Sequence, residues 1–100
     1  MIHVVHWIRV APNKTSHAID WVRKLLAYEK KAGLGPASAF RPLSGETNVV
    51  IYLEQHSSLA AFEALFNRRL ADSGWMEVLR EGTQSDWWLG VTRNMHELIE

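Results

Sequence analysis

The 100-residue sequence has no cysteine, only 3 prolines and no net charge. Without cysteine the chain forms no disulfide, thiol nucleophile or thiolate metal site, which is typical of a reducing compartment. Because 11 basic residues balance 11 acidic ones, no overall field attracts nucleic acid or an anionic membrane. No apolar run approaches the roughly 18 residues of a membrane span, and the polar N-terminus is unlike a secretory signal. These absences predict a cytoplasmic protein without nucleic-acid or membrane partners.

The residues that build a core are abundant. Hydrophobic residues make up 47% of the chain and charged residues 22%, a balance that predicts a folded chain with a polar surface. A chain of this length has room for one core, so we expect a single domain over residues 1–100.

The hydrophobic pattern predicts alternating strands and helices. β-Branched and aromatic residues fill Ile2–Val10, and a helix follows to Ala32 with Thr15 or Ser16 as its N-cap and Gly33 as its left-handed stop. Two strands are predicted next, at 37–43 and 48–54. A second helix begins after a Ser57 or Ser58 cap, is interrupted at Gly74 with Asp72 or Ser73 as a new cap, and ends at Gly82. A strand at 85–93 and a helical turn at 94–100 complete the predicted elements.

This order of elements predicts a ferredoxin-like α+β fold. The βαββαβ arrangement forms a four-stranded antiparallel sheet with both helices on one face. In an isolated domain the other face would be polar. Here both faces are largely apolar, since Val5 and Trp7 alternate with Val4 and Ile8. We therefore expect a second, identical sheet to cover the free face in a homodimer.

Residues 50–79, VIYLEQHSSLAAFEALFNRRLADSGWMEVL, carry a more specific pattern. A strand ends in Glu54, a Ser58-Leu59 cap opens a helix containing Phe62-Glu63, and an Asp-x-x-Trp step at 72–75 leads into the last helix. This pattern resembles the NIPSNAP-type branch of the dimeric α+β barrel superfamily. The resemblance implies a ferredoxin-like fold and a dimer. The superfamily includes cofactor-independent aromatic monooxygenases, heme-degrading and heme-peroxidase proteins, lactone isomerases and polyketide cyclases, so membership does not select a reaction.

His6 is the candidate residue for acid or base chemistry. It lies on an otherwise aliphatic face of the first strand, where burial would lower the pKa of the imidazole and leave a neutral base. A hydrogen-bonded core histidine would give the same pattern. His3 and His6 point to opposite faces of the strand and cannot readily share an ion. The sequence predicts no metal site and no cofactor.

A ligand cleft is predicted between the helices and the sheet face that carries His6. Apolar and aromatic side chains would form its walls, and Arg41 at its mouth would meet an acidic group of a substrate. Packing alone explains the same wall residues, and a solvated surface arginine explains Arg41. The predicted ligand-binding residues are Trp21, Tyr28, Arg41, Ile51, Phe62, Phe66 and Trp87.

The opposite face of the sheet is predicted to form the dimer interface. Trp, Tyr and Arg are enriched at interfaces, and Arg9 would pair with Glu54 or Asp86 across the strands. The same rings and charges could instead stack a planar ligand. Because Trp87 and Trp88 are adjacent, one should face the helices and the other the interface. The predicted interface residues are His3, Trp7, Arg9, Tyr52, Glu54 and Trp88.

Two functions remain open at this point. The first is binding or transformation of a small apolar or aromatic molecule without metal or nucleotide. An enzyme of this kind would be a cofactor-independent monooxygenase, isomerase or cyclase that uses His6. The second is a non-catalytic module for self-association or interaction, in which the aromatic residues only pack.

Overall fold

The computed structural model, which describes residues 1–99, confirms the predicted α+β fold. A four-stranded antiparallel sheet has the strand order β2-β3-β1-β4. The helices pack on one face of this sheet. The strands are β1 (Ile2–Val10), β2 (Ser38–Phe40), β3 (Val49–His56) and β4 (Trp88–Glu97), and the helices are α1 (Thr15–Ala32), α2 (Leu59–Leu70) and α3 (Ser73–Thr83).

The helix ends agree with the capping predictions except at the start of α1 and at the end of α3. The predicted Thr15 or Ser16 cap is wrong, because α1 begins at Thr15 after Lys14 and has no side-chain cap. Gly33 ends this helix in the left-handed conformation, with φ of 69°, as predicted. Ser58 caps α2, where its side chain accepts a hydrogen bond from the Ala61 N–H.

The predicted interruption of the second helix divides it into α2 and α3. Asp72 caps α3 by accepting from the Trp75 N–H at 2.9 Å, and the same oxygen accepts from the Tyr28 hydroxyl at 2.5 Å. At Gly74 the Tyr28 ring occupies the space that a Cβ would need, so only glycine permits this close approach. Tyr28 therefore anchors the start of α3 to α1. The last helix ends at Thr83, one residue beyond the predicted Gly82.

The last strand is longer than the sequence predicted. Its pairing with β1 continues until Ile2 lies opposite Glu97, so a helical turn at 94–97 is wrong. The Leu98 N–H also bonds to the Met1 carbonyl, and Glu100 lies outside the described residues. The strand follows β1 because the backbone groups of β1 on that side need partners.

A β-bulge at the start of β4 decides which side chains share a face. Val10 lies opposite Trp88 while Arg9 lies opposite Gly90, so Leu89 is the extra residue. The bulge reverses the alternation and brings Trp88 and Val91 to the same face of the sheet. That face also carries His6 and Tyr52, which are opposite each other on β1 and β3.

The sheet consequently has a covered face and an uncovered face. The covered face is the one on which the helices pack, although Val91 and Arg93 of β4 remain exposed there. It includes Val4, His6, Ile8, Val50, Tyr52, Glu54, Trp88, Val91 and Arg93. The uncovered face includes His3, Val5, Trp7, Arg9, Ile51, Leu53 and Thr92. Within residues 1–99, no helix is both long and apolar enough to cross a membrane.

Candidate functional site

A cleft of about 440 Å³ lies between the covered face and all three helices. The apolar side chains that form most of its walls are Ile8, Trp21, Leu25, Phe66, Leu79 and Val91. Trp21 is held in place because its indole N–H donates to the Val78 carbonyl at 2.8 Å and its ring packs against Trp88. A cleft with apolar walls and a few polar groups is the usual form of a small-molecule site.

A buried ion network forms the polar end of the cleft. Its centre is the Arg69 guanidinium of α2, which is 2% exposed and lies between the carboxylates of Glu29 and Glu54, each 1% exposed. Arg69 Nη1 donates to Glu54 Oε1 at 2.8 Å, and Arg69 Nε lies 3.6 Å from Glu29 Oε2. Two further hydrogen bonds join the guanidinium to the Leu34 carbonyl. The network therefore ties α1, α2 and β3 together.

Glu29 is held by donors from the sheet and from α3. The Tyr52 hydroxyl donates to both carboxylate oxygens, at 2.7 and 2.6 Å, and the Trp75 indole N–H donates to Oε2 at 2.9 Å. Burial raises the pKa of the Glu29 carboxyl, while the bonds from Tyr52 and Trp75 oppose that rise. Burial and the nearby Glu29 also raise the pKa of the Tyr52 hydroxyl, so it remains a donor.

Glu54 has one oxygen in the network and one outside it. Oε1 accepts from Arg69 and lies 3.0 Å from His56 Nε2. Oε2 is buried and has no hydrogen-bond partner among residues 1–99. A buried carboxylate oxygen without a donor is unusual, because leaving it unpaired is costly. This atom is a candidate contact for a bound molecule.

His6 lies beside Glu54 on the covered face. It pairs with Tyr52 across the sheet, and its ring meets the Tyr52 ring edge to face at 5.5 Å. Burial lowers the pKa of His6 below the ordinary value of 6.5, against the opposing charge of Glu54. Its Nδ1 atom is buried and lacks a partner in the described part of the chain. His6 is thus a neutral imidazole with a free ring nitrogen beside the cleft.

Arg93 supplies a second cation where β4 borders the cleft. Opposite His6 on β1, it places its guanidinium 5.6 Å from the centre of the Phe62 ring and 5.8 Å from that of Phe66. Such cation–π contacts hold the side chain without removing its charge. Unlike Arg69, Arg93 is exposed.

The cleft contains only part of the set predicted to bind ligand. His6, Trp21 and Phe66 line it, and Phe62 lies beneath Arg93 at its border. Three of the others are elsewhere: Tyr28 bonds to Asp72, Ile51 is on the uncovered face, and Arg41 lies in a separate groove beside α1 and β2. Trp87 precedes β4 and packs on Trp21 in the core, and it is not among the residues that line the cleft.

The residues predicted for the opposite face divide between the two faces. His3, Trp7 and Arg9 lie on the uncovered face, whereas Tyr52, Glu54 and Trp88 lie on the covered face and line the cleft. Arg9 bonds to Thr92 Oγ1 at 3.0 Å instead of to Glu54 or Asp86. Trp87 and Trp88 both pack against Trp21, since Trp87 precedes the strand and does not follow its alternation.

Sequence reasoning missed Arg69, Glu29, Trp75 and Arg93. A signal for the first two was present, because Arg69 lies seven residues after Phe62 and Glu29 four after Leu25, each on the buried stripe of its helix. Opposite charges on two buried stripes indicate a buried ion pair. Arg93 could not be placed because the bulge at Leu89 sets its face.

The described residues also limit what the site can hold. Nowhere in residues 1–99 do three or more His, Cys, Asp or Glu side chains come together in a way that could bind a metal ion. The groups present are suited to hydrogen bonding, charge recognition and proton exchange at His6.

Comparison with known proteins identifies the family. Residues 8–99 match the NIPSNAP family model. The chain belongs to the NIPSNAP family. This confirms the resemblance seen in residues 50–79. Among curated proteins, none matches this chain.

Solved structures share the fold of this NIPSNAP chain at low sequence identity. A NIPSNAP domain protein from Burkholderia xenovorans superposes with a TM-score of 0.85 at 13% identity, covering 99% of this chain and 95% of that one. A NIPSNAP family protein from Agrobacterium tumefaciens gives 0.82 at 16%, covering 99% and 86%. An antibiotic biosynthesis monooxygenase gives 0.72 at 12%, covering 100% of both chains. At these identities the likeness shows the fold alone.

Proposed function

We propose that the cleft binds a small apolar or aromatic molecule, with no metal or nucleotide taking part. The observation that carries this proposal is an apolar cleft of about 440 Å³ whose polar end contains unpaired, buried atoms of His6 and Glu54. Buried polar atoms in a packed core are paired with protein groups or with ordered water, so these two atoms call for a polar partner inside the cleft. The aromatic walls supply stacking surface, and the polar end orients the molecule.

The proposed chemical capacity of the site is proton exchange at His6. The imidazole is neutral because burial lowers its pKa, and Nδ1 is the free atom. A neutral imidazole in an apolar cleft can accept a proton from a bound hydroxyl or activated C–H group. A cofactor-independent monooxygenase, isomerase or cyclase would need such a base. An antibiotic biosynthesis monooxygenase has the same fold, so this fold is compatible with chemistry of that class.

Binding can be tested with naphthalene-sized aromatic molecules by NMR. We expect these probes to shift the indole N–H signals of Trp21 and Trp75, which line the cleft. Val91→Trp would fill the cleft from β4 and abolish the shifts. The control is Leu59→Trp, which adds the same ring at an exposed position of α2 that does not line the cleft. Probes that bind Val91→Trp as well as wild type would contradict the proposal.

Activity can be tested with His6→Ala against His3→Ala. The two histidines lie on one strand, but only His6 lines the cleft. Once a substrate is found, we expect His6→Ala to lower its turnover by about 100-fold or more, as for loss of a general base. The same loss in His3→Ala, or none in His6→Ala, would exclude His6 as the base.

A second proposed function, self-association, is favoured by the uncovered face. Trp7 is 39% exposed and Phe40 is 51% exposed, and Ile51 lies between them in one row across the sheet. We propose that this row packs against the same row of a second copy, forming a homodimer. If the cleft binds no small molecule while the chain still dimerises, the protein is a non-catalytic association module.

A further inference from the structure

The unpaired atoms at the polar end of the cleft specify the chemistry of its ligand. Glu54 Oε1 accepts a charge-assisted hydrogen bond from the Arg69 guanidinium at 2.8 Å, the geometry of a carboxylate–guanidinium ion pair. An ionised carboxylate only accepts hydrogen bonds. Its Oε2 atom, unpaired within the described chain, therefore calls for a donor: a hydroxyl, an amine or an amide N–H.

The position of His6 restricts which of these ligand groups can bind to Glu54. His6 lies opposite Tyr52 and Glu54 lies opposite Val4, so the two side chains are diagonal neighbours on the covered face. Cβ atoms in that relation lie somewhat less than about 7–8 Å apart, and both residues line the cleft, so one ligand group at this end can meet both side chains. A neutral imidazole presents one donor and one acceptor nitrogen. A hydroxyl both donates and accepts, so it can satisfy His6 and Glu54 together.

The charges around the polar end disfavour a charged group on the ligand. A ligand carboxylate would meet the Glu54 carboxylate, and an ammonium group would meet the guanidinium groups of Arg69 and Arg93. The two arginines balance Glu29 and Glu54, so a neutral group is favoured. The aromatic rings of Trp21, Phe66 and Trp88 favour a planar body on the ligand.

We propose that the cleft is specific for a neutral hydroxy-aromatic molecule, of the phenol or naphthol class, whose hydroxyl hydrogen-bonds to Glu54 Oε2 and His6 Nδ1. This proposal rests on the binding function proposed above and adds the identity of the recognised group. Glu54 acts here as a specificity residue, oriented by Arg69 and His56. In this arrangement the hydroxyl donates to Glu54 Oε2 and accepts from the Nδ1–H of neutral His6, so recognition of the hydroxyl and proton removal by Nδ1 use different tautomers of His6.

The test compares 2-naphthol with 2-methylnaphthalene, which has the same ring and a methyl group in place of the hydroxyl. We expect wild-type protein to bind 2-naphthol about tenfold or more tightly in isothermal titration calorimetry, because the hydroxyl pairs with a buried charged acceptor. Equal affinity overturns this proposal and leaves the apolar cleft in place. If neither probe binds, the binding function itself is wrong. Equal affinity is also the result expected if an ordered water, and not a ligand, satisfies the two atoms.

A variant pair assigns the preference to Glu54. Glu54→Gln keeps the side-chain shape and presents an amide donor in place of one acceptor oxygen, so 2-naphthol should lose its advantage while 2-methylnaphthalene binds as before. The control is Glu63→Gln, an exposed position on α2, which should retain the wild-type ratio. Circular dichroism establishes that each variant is folded. If Glu54→Gln does not fold, His6→Ala takes its place, and an unchanged ratio in that folded variant contradicts the proposal.

Discussion

The covered and uncovered faces of the sheet are built from the same strands. On β1, His6 lies on the covered face and His3 on the uncovered face, and on β4 the same holds for Arg93 and Thr92. On the covered face, the helices remove water and force the charged groups into a network centred on Arg69. On the uncovered face, Arg9 bonds to Thr92 at the surface. The same residue types therefore serve a buried polar site on one side and an exposed apolar sheet on the other. Whether helices bury a side chain, more than its residue type, determines the strength of its electrostatic interactions and the need for hydrogen-bond partners.

Among changes that test the difference between the two faces, we expect the largest effect from removing the buried guanidinium of Arg69. Arg69→Met would leave Glu29 and Glu54 buried without their shared partner, and we expect a loss of about 3–5 kcal/mol in the free energy of unfolding. The control is the neighbouring exposed Arg68, which donates to the Gly33 carbonyl at 3.0 Å. Arg68→Met should cost within about 1 kcal/mol. Urea unfolding measures both, and similar losses would show that the network is not a major source of stability.

The uncovered face can be tested through the assembly state. Trp7→Glu would place a charge in the centre of the proposed sheet-to-sheet contact, so the mass in solution should fall from twice the chain mass to 11.5 kDa. Light scattering after size exclusion measures the mass. Leu59→Glu is the control, since Leu59 is 49% exposed but lies on α2. A monomeric wild type would rule out the dimer.

Removing a single hydroxyl from the network should have a smaller effect. Tyr52→Phe deletes the donor that bonds to both oxygens of Glu29, and we expect it to cost about 1–3 kcal/mol in thermal or urea unfolding. Tyr28→Phe removes a comparable bond to Asp72 at a half-buried position, so its loss should be smaller. A larger loss in Tyr28→Phe would reverse this expected order.

The smallest expected effect is the pH dependence that His6 contributes. Because burial holds the folded pKa of His6 below 6.5, the unfolded chain binds more protons between the two values. The stabilising contribution is complete above pH 6.5 and is lost as the pH falls through the lowered folded value. NMR titration of the His6 ring should give a midpoint under 6.5. In unfolding experiments, His6→Ala should remove this contribution, and His3→Ala should leave it in place because His6 remains.

The local elements and the core stripes followed from sequence because they depend on neighbours along the chain. The bounds of Ile2–Val10, the stop at Gly33 and the caps at Ser58 and Asp72 each rest on residues close in sequence. The β4 extension to Glu97 did not follow, because it depends on the open edge of β1 far away in the chain.

By itself, the sequence determined the order of elements, the ferredoxin-like fold and the place of His6 on an aliphatic face. Tertiary structure alone decided that Tyr52, Glu54 and Trp88 join His6 in one cleft, and that Ile51 does not. Alternation within a strand has a period of two, but the register between strands is open when both faces are apolar. In the folded chain the register is set by long-range packing, which pairs His6 with Tyr52 and places Leu89 in a bulge.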